Sequence, residues 1–234
     1  MRYLLFLFLI FSSNASTGQI TTGSLLYELT EVDSSNHWQI QSMEMLIHFT
    51  PEEQVTIKSS SLWDVPSKSQ EYYDGKTLKR FVDYQNTKTK SETDLLNLES
   101  KGFDPVKMGQ AYQVTIDKSD TKEILGFTCH KITVDVDLKR LKEADGMPPG
   151  VGEWTIVAYI TEDIQLRDFN LQQFRGLNYS GTPLMWTFTS RNVSYTMRAN
   201  YFSEKIDYSV FEYPDDDYEL VDRTVGSTLG TFNF

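Results

Sequence analysis

Apolar and polar residues alternate with a period of two through most of this chain. Ser24-Leu-Leu-Tyr-Glu-Leu-Thr-Glu-Val32 reads as a first strand. Met43, Met45, Ile47 and Phe49 fall on one face, with Glu44 and His48 on the other and Leu46 interrupting. A period of two marks a strand buried on one side. Pro51 ends it, and Val55 and Ile57 carry a short return strand. Glu71-Tyr-Tyr-Asp-Gly-Lys76 predicts a hairpin, because Asp-Gly readily takes the positive φ angles of a tight turn. Thr77 to Tyr84 and Thr87 to Glu92 continue the meander, and Tyr112 to Asp117 and Cys129 to Val136 are further strands. Trp154, Ile156, Ala158 and Ile160 alternate again, as do Leu184, Trp186 and Phe188. Tyr195, Met197, Ala199 and Tyr201 mark the next strand, with Ser194, Thr196, Arg198 and Asn200 facing away, and Phe211 to Val221 closes the domain.

Helical signals are few. Asp94 to Gly102 has an N-capping residue and a glycine stop, and Asp168 to Gly176 is a second short candidate. Between Asp137 and Gly152 the chain turns polar and ends in a Pro-Pro-Gly breaker cluster, which makes Leu138 to Gly152 the candidate gate. Strands follow one another at hairpin distances, without the long helices that parallel strands require. The expected fold is therefore mainly β: a curved, unclosed antiparallel barrel or half-barrel of about ten strands, with short helices packed in or over its concave face.

The amino terminus changes the picture of where this domain works. Met1-Arg2 is followed by nine apolar residues, Tyr3 to Phe11, and then by small and polar ones as far as Gly18. That is the layout of a secretory signal peptide, residues 1–18, and the run is roughly half of what a spanning helix needs. Ser16/Gly18 and Ser13/Ala15 both satisfy the small-x-small cleavage rule. Residues 19–234 are expected to form one exported domain, in the periplasm or secreted, with no transmembrane anchor after cleavage. The net charge of -11 comes without a Lys/Arg cluster, so nucleic acid is excluded as a partner. The single cysteine, Cys129, has no partner for an internal disulfide.

Candidate chemistry is sparse. There is no Gly-x-Ser-x-Gly elbow and no glycine-rich phosphate loop. Cys129 and His130 are neighbours on a strand, where adjacent side chains point to opposite faces, so they cannot form a dyad. Three scattered histidines give no zinc spacing, and Asp215 to Asp217 lacks the alternation of a calcium loop. Asn178 and Asn192 begin glycosylation sequons, which matter only in a eukaryotic source. The expectation is a non-enzymatic protein without cofactor or metal. The inward faces are rich in large, soft groups: Met43, Met45, Ile47, Trp154, Ile156, Trp186, Phe188, Met197 and Tyr201. Such groups build a packed core, and equally they line a cavity for an apolar ligand.

Three stretches carry a family resemblance. They are Thr121-Lys-Glu-Ile-Leu-Gly126-Phe-Thr-Cys129-His-Lys131, then Gly181-Thr-Pro183-Leu184 after the Trp154 strand, then Val210-Phe211-Glu-Tyr-Pro214 leading into Tyr218. With the export signal and the Leu25-Leu-Tyr start, the chain resembles exported bacterial proteins related to the LolA/LolB-like lipoprotein-localisation superfamily, near the GLPGLI-type proteins. In place of their name-giving run it has Gly176-Leu177 and Gly181-Thr-Pro-Leu184. The resemblance implies an unclosed barrel wrapped round helices, an address in the Gram-negative envelope, and binding of a lipid, a lipoprotein acyl chain or an envelope protein. It makes Gly126, Cys129 and Lys131 structural: Cys129 follows a turn in which Gly126 supplies a positive φ or a bulge.

Overall fold

The computed structural model describes residues 18–33, 40–62, 65–85, 87–94, 112–136, 154–166, 180–190, 194–214 and 217–221. Residues 1–17 of the expected signal peptide (residues 1–18), the helix candidates after Asp94 and at Asp168 to Gly176, the gate candidate 138–152, Asn178, Asn192 and the side chain of Trp154 lie outside the described residues.

The strands are β1 (Gly23–Asp33), β2 (Ile40–Phe49), β3 (Gln54–Leu62), β4 (Val65–Tyr73), β5 (Thr77–Tyr84), β6 (Thr87–Asp94), β7 (Tyr112–Ile124), β8 (Phe127–Val136), β9 (Trp154–Thr161), β10 (Thr182–Ser190), β11 (Ser194–Ser203) and β12 (Glu219–Leu220). They form one 12-stranded sheet in the order β12-β6-β5-β4-β3-β2-β1-β11-β10-β9-β8-β7. All neighbours are antiparallel except β12, which runs parallel to β6. The sheet is open and curved, and it is built from two meanders, β1–β6 and β7–β11. The seam between them is β1 against β11, with Leu25 opposite Phe202 and Leu29 opposite Met197.

Local chemistry explains the turns. Between β4 and β5, Asp74 Oδ1 accepts from the backbone N–H groups of Lys76 and Thr77 at 2.8 and 2.7 Å, and Gly75 has φ 95°. Between β7 and β8 the two turn residues are Leu125 and Gly126, with φ 54° and 83°. This is the two-residue turn that matches strand twist and prefers Asn-Gly. A leucine at positive φ carries a steric cost that asparagine largely avoids. Leu125→Asn is therefore expected to raise stability by about 0.5–1 kcal/mol, and Gly126→Ala to lower it by at least about 1 kcal/mol. Urea denaturation of the two variants checks both signs.

Strand β7 runs further than the alternation suggests. The polar stretch after Asp117 pairs with β8 again from Thr121, once the register has slipped. Asp117 Oδ1 organises the slip, accepting from Ser119 N at 2.9 Å and Ser119 Oγ at 2.6 Å. Asp120 is then fastened from below: Lys131 Nζ lies 3.1 Å from its Oδ2 and Tyr159 OH donates to its Oδ1 at 3.1 Å. Asp120→Ala should speed amide exchange across 118–124 while leaving β9 and β10 protected. Unchanged exchange in β7 would show that the fastening is idle.

The closing stretch is not a continuous strand. It is a 3-10 turn at Tyr208–Phe211 followed by the two-residue β12. This tail packs on the outer face of β3–β5, where Val55, Tyr72 and Phe81 form a second small core with Ile57, Phe211 and Tyr218. Tyr72 OH donates to the Glu212 carbonyl at 3.0 Å, and the Tyr213 ring lies 5.1 Å from that of Tyr72. Phe211 and the half-buried Pro214 thus belong to a tail anchor.

Candidate functional site

Register places the residues of interest on two faces. On the inward face, Leu25 and Tyr27 of β1 stand beside Ile47 and Met45 of β2. On the other side of the seam, Met197 of β11 pairs with Trp186 of β10, which pairs with Ala158 of β9, which pairs with Ile132 of β8. All of these belong to one buried apolar cluster, together with Phe49, Ile156, Leu184, Phe188 and Tyr195. Met43 is partly buried and packs against it. Of the soft groups singled out from the alternation, Met43, Met45, Ile47, Ile156, Trp186, Phe188 and Met197 are therefore brought together, and Tyr201 is a correction. Tyr201 is 53% exposed and leaves this face. A register slip between Leu26 and Tyr27 takes up one extra residue of β11, so Ala199 and Phe202 keep the inward side and Tyr201 turns outward.

Tyr27 ties the cluster together. Its ring is 5.1 Å from Trp186, and its hydroxyl donates to the Pro183 carbonyl at 2.9 Å. Pro183 thus serves as an acceptor at the start of β10. Gly181, just before it, has φ 120°, and an added Cβ would meet the Thr161 carbonyl oxygen at 2.8 Å. Glycine is required there by space as well as by conformation.

The same face changes character along the sheet. One row of cross-strand partners reads Leu25, Ile47, Thr56, Glu71, Arg80, Ser91 from β1 to β6. The next reads Tyr27, Met45, Lys58, Ser69, Val82, Thr89. Strands β3–β6 thus turn hydroxyls and three charges to the side that β1 and β2 fill with apolar groups. Glu71 sits between the two cations. Lys58 Nζ lies 3.2 Å from Oε2, Arg80 Nε donates to Oε1 at 2.7 Å, and Arg80 Nη2 touches the same oxygen. Burial works against the charged carboxylate, but the attraction of Lys58 and Arg80 outweighs it and holds Glu71 down at about 2.

Other reactive groups are occupied by structure. Cys129 is fully buried in the apolar cluster, its Sγ 3.6 Å from the Phe127 carbonyl oxygen. Burial, then the charges of Glu123 and Asp163, push its thiol up to about 12. It should resist an aromatic disulfide reagent in the native protein and react only once unfolded; rapid labelling of native protein would contradict this. Lys131 belongs to the Asp120 fastening described above. On the outer face, Ser24 Oγ lies 2.8 Å from His48 Nδ1, both side chains buried. Burial lowers the His48 pKa, and the charge of Asp207 opposes that shift. The stability tied to neutral His48 is complete above pH 6.5 and is lost as pH falls through its lower folded value. The spacing of Ser24 and His48 in sequence gives no hint of this pair; only the β1–β2 register makes it. Among the described residues no three His, Cys, Asp or Glu side chains converge as a metal site.

No family model and no curated protein matches the chain. Solved structures do. The Mycobacterium tuberculosis lipoprotein LppX is 12% identical with a TM-score of 0.38, over 82% of this chain and 90% of that one. LprF from Mycobacterium bovis is 13% identical with a TM-score of 0.37, over 84% and 91%. A domain from Vibrio parahaemolyticus assigned to outer membrane lipoprotein sorting is 6% identical with a TM-score of 0.27, over 81% and 88%.

Proposed function

We propose that the protein is an exported, non-enzymatic binder of an apolar ligand, a lipid or an acyl chain, including the acyl chains of a lipoprotein. The observation that supports this reading is the inward face. An open sheet collects methionines and aromatics from β1, β2, β10 and β11 and aliphatic groups from β8 and β9 on one side, and the sheet is not closed around them. Soft, polarisable groups adapt to chains of variable shape. The resemblance to lipoprotein-localisation proteins points the same way. Native mass spectrometry of the chain from Gln19 on, purified from a bacterial periplasm without detergent, tests it. A bound mass that extracts as lipid or fatty acid supports the reading. A clean apo mass that takes up no added fatty acid or lipid overturns it.

A second reading is favoured by the edges. β7 is a 13-residue edge strand whose middle is exposed, and a partner protein could extend the sheet there. Asp117, Lys118, Asp120, Lys122 and Glu123 make that edge selective, because charged edges discourage indiscriminate pairing. In this reading the core is filled and the protein is an interaction module of an envelope complex. An apo mass together with an envelope protein cross-linked through β7 would favour it.

A further inference from the structure

Strand β7 consists of two halves of opposite character. From Tyr112 to Asp117 its pairing with β8 is regular, so Val114 and Ile116 share the inward side with Val134 and Ile132, and Gln113, Thr115 and Asp117 face outward. Between Asp117 and Thr121 the register slips, and the residues from there on include Lys118, Asp120, Lys122 and Glu123. A bulge and a row of charges are what keep a sheet edge from pairing with another chain. They guard the second half of β7 and not the first, in which Asp117 is the one charge. β7 ends the sheet, with no strand beyond it among the described residues. Burial shows what is missing there: Ile132 and Val134 are fully buried, whereas Ile116, on the same side, is 46% exposed.

We infer that the first half of β7 pairs with the same half-strand of a second copy of this chain, antiparallel, about a two-fold axis through Thr115. The inference rests on the edge-pairing reading above and names the partner; it requires nothing of the core. A two-fold axis perpendicular to the sheet keeps the inward sides of both copies together, so residues that stand opposite must share a face. With the axis at Thr115, Val114 meets Ile116 of the other copy on the inward side, twice over. On the outward side Thr115 meets Thr115, and Gln113 meets Asp117. Cross-strand pairs of β-branched residues are a unit of sheet stabilisation, and here they cover Ile116. Charge fits this register too. The chain carries a net charge of -11, so two copies repel as wholes. At the contact no two charges stand opposite, because each Asp117 faces a neutral amide. Moving the axis to Ile116 would set Lys118 and the bulge of each copy against Val114 of the other. Pairing over Gln113 to Asp117 alone is a small contact beside the roughly 1,200–2,000 Å² of a stable interface, so the dimer forms only at high concentration.

The test is sedimentation equilibrium of the chain from Gln19 on, from about 10 μM to about 1 mM, as wild type, Gln113→Lys, Gln113→Asp and Ile116→Lys. All three substitutions are at exposed positions, so the fold should tolerate them. The expected result is a monomer–dimer equilibrium that Gln113→Lys tightens at least about threefold, through two ion pairs with Asp117, and that Gln113→Asp loosens by a similar factor. Ile116→Lys should leave a monomer throughout. Thr115→Cys should form a disulfide-linked dimer under mild oxidation, and Thr121→Cys should not, with Cys129 buried and silent in both. Self-association that ignores both Gln113 variants would place the contact elsewhere and overturn the inference. A monomer in wild type and Gln113→Lys would overturn it as well. A photo-crosslinking amino acid in place of Thr115, in the bacterial periplasm, then separates the two failures. Capture of a different envelope protein leaves the edge-pairing reading standing without self-pairing, and no capture at all removes both.

Discussion

Glu71→Gln is expected to destabilise the protein by about 3 kcal/mol at neutral pH. The residue sits between Lys58 and Arg80 on a face with no other carboxylate among the described residues of β1–β6, so removing its charge leaves two neighbouring cations facing each other. Repulsion and unshared desolvation then act together, which is why breaking a buried pair costs more than the pair itself contributes. A chain of this length should melt roughly 6–12 °C lower. The same residue gives a pH signature. Its carboxyl has an ordinary value of 4.5 and a folded value of about 2. A lowered folded pKa contributes stability that is whole above 4.5 and drains away as pH falls towards 2. The variant should lack that acid-side loss. Denaturation midpoints measured at several pH values check both parts, and equal acid slopes in the two proteins would refute the assignment.

Trp186→Ala is expected to cost about 3–5 kcal/mol. Trp186 stands in the middle of the inward cluster, across from Met197 on one side and Ala158 on the other, with Tyr27 leaning on it. Neither Met197 nor Ala158 can refill the space from a strand held by its ladder, so the cavity stays open. Tyr27→Phe serves as the comparison. It keeps the ring and leaves the Pro183 carbonyl without its donor, which should cost about 1–2 kcal/mol. Similar losses in the two variants, measured by guanidinium denaturation, would show that packing around Trp186 collapses freely.

Much of this architecture was legible from alternation. The inward set of Met45, Ile47, Ile156, Trp186, Phe188 and Met197 reads directly from a period of two, because one-sided burial imposes that period on sequence. Three things were hidden for physical reasons. Tyr201 continues the alternation of Met197 and Ala199 but lies past a bulge, and a one-residue slip flips every later side chain. The second half of β7 carries Lys118, Ser119, Asp120, Lys122 and Glu123; it is a strand because Asp120 is held by Lys131 and Tyr159, an interaction between distant positions. Arg80, Glu71 and Lys58 look like ordinary surface charges until pairing lines them up across three strands. In each case the missing information is register, which no local window contains.

The seam between the two meanders has a consequence for the order of events during synthesis. β1 is made first, and β2 can pair with it at once, but its other neighbour, β11, is complete only at Ser203. For most of the time that the chain is being made, β1 waits with one side of its backbone unsatisfied, and β11 later emerges with the same need. Closing this join spans nearly the whole molecule, so it carries a large loop entropy and belongs late on the folding route. Two nascent chains that meet in this interval can satisfy each other, β1 of one against β11 of the other. Crowded refolding should therefore yield strand-exchanged dimers, and a chaperone that holds the unfinished chain has a defined edge to shield.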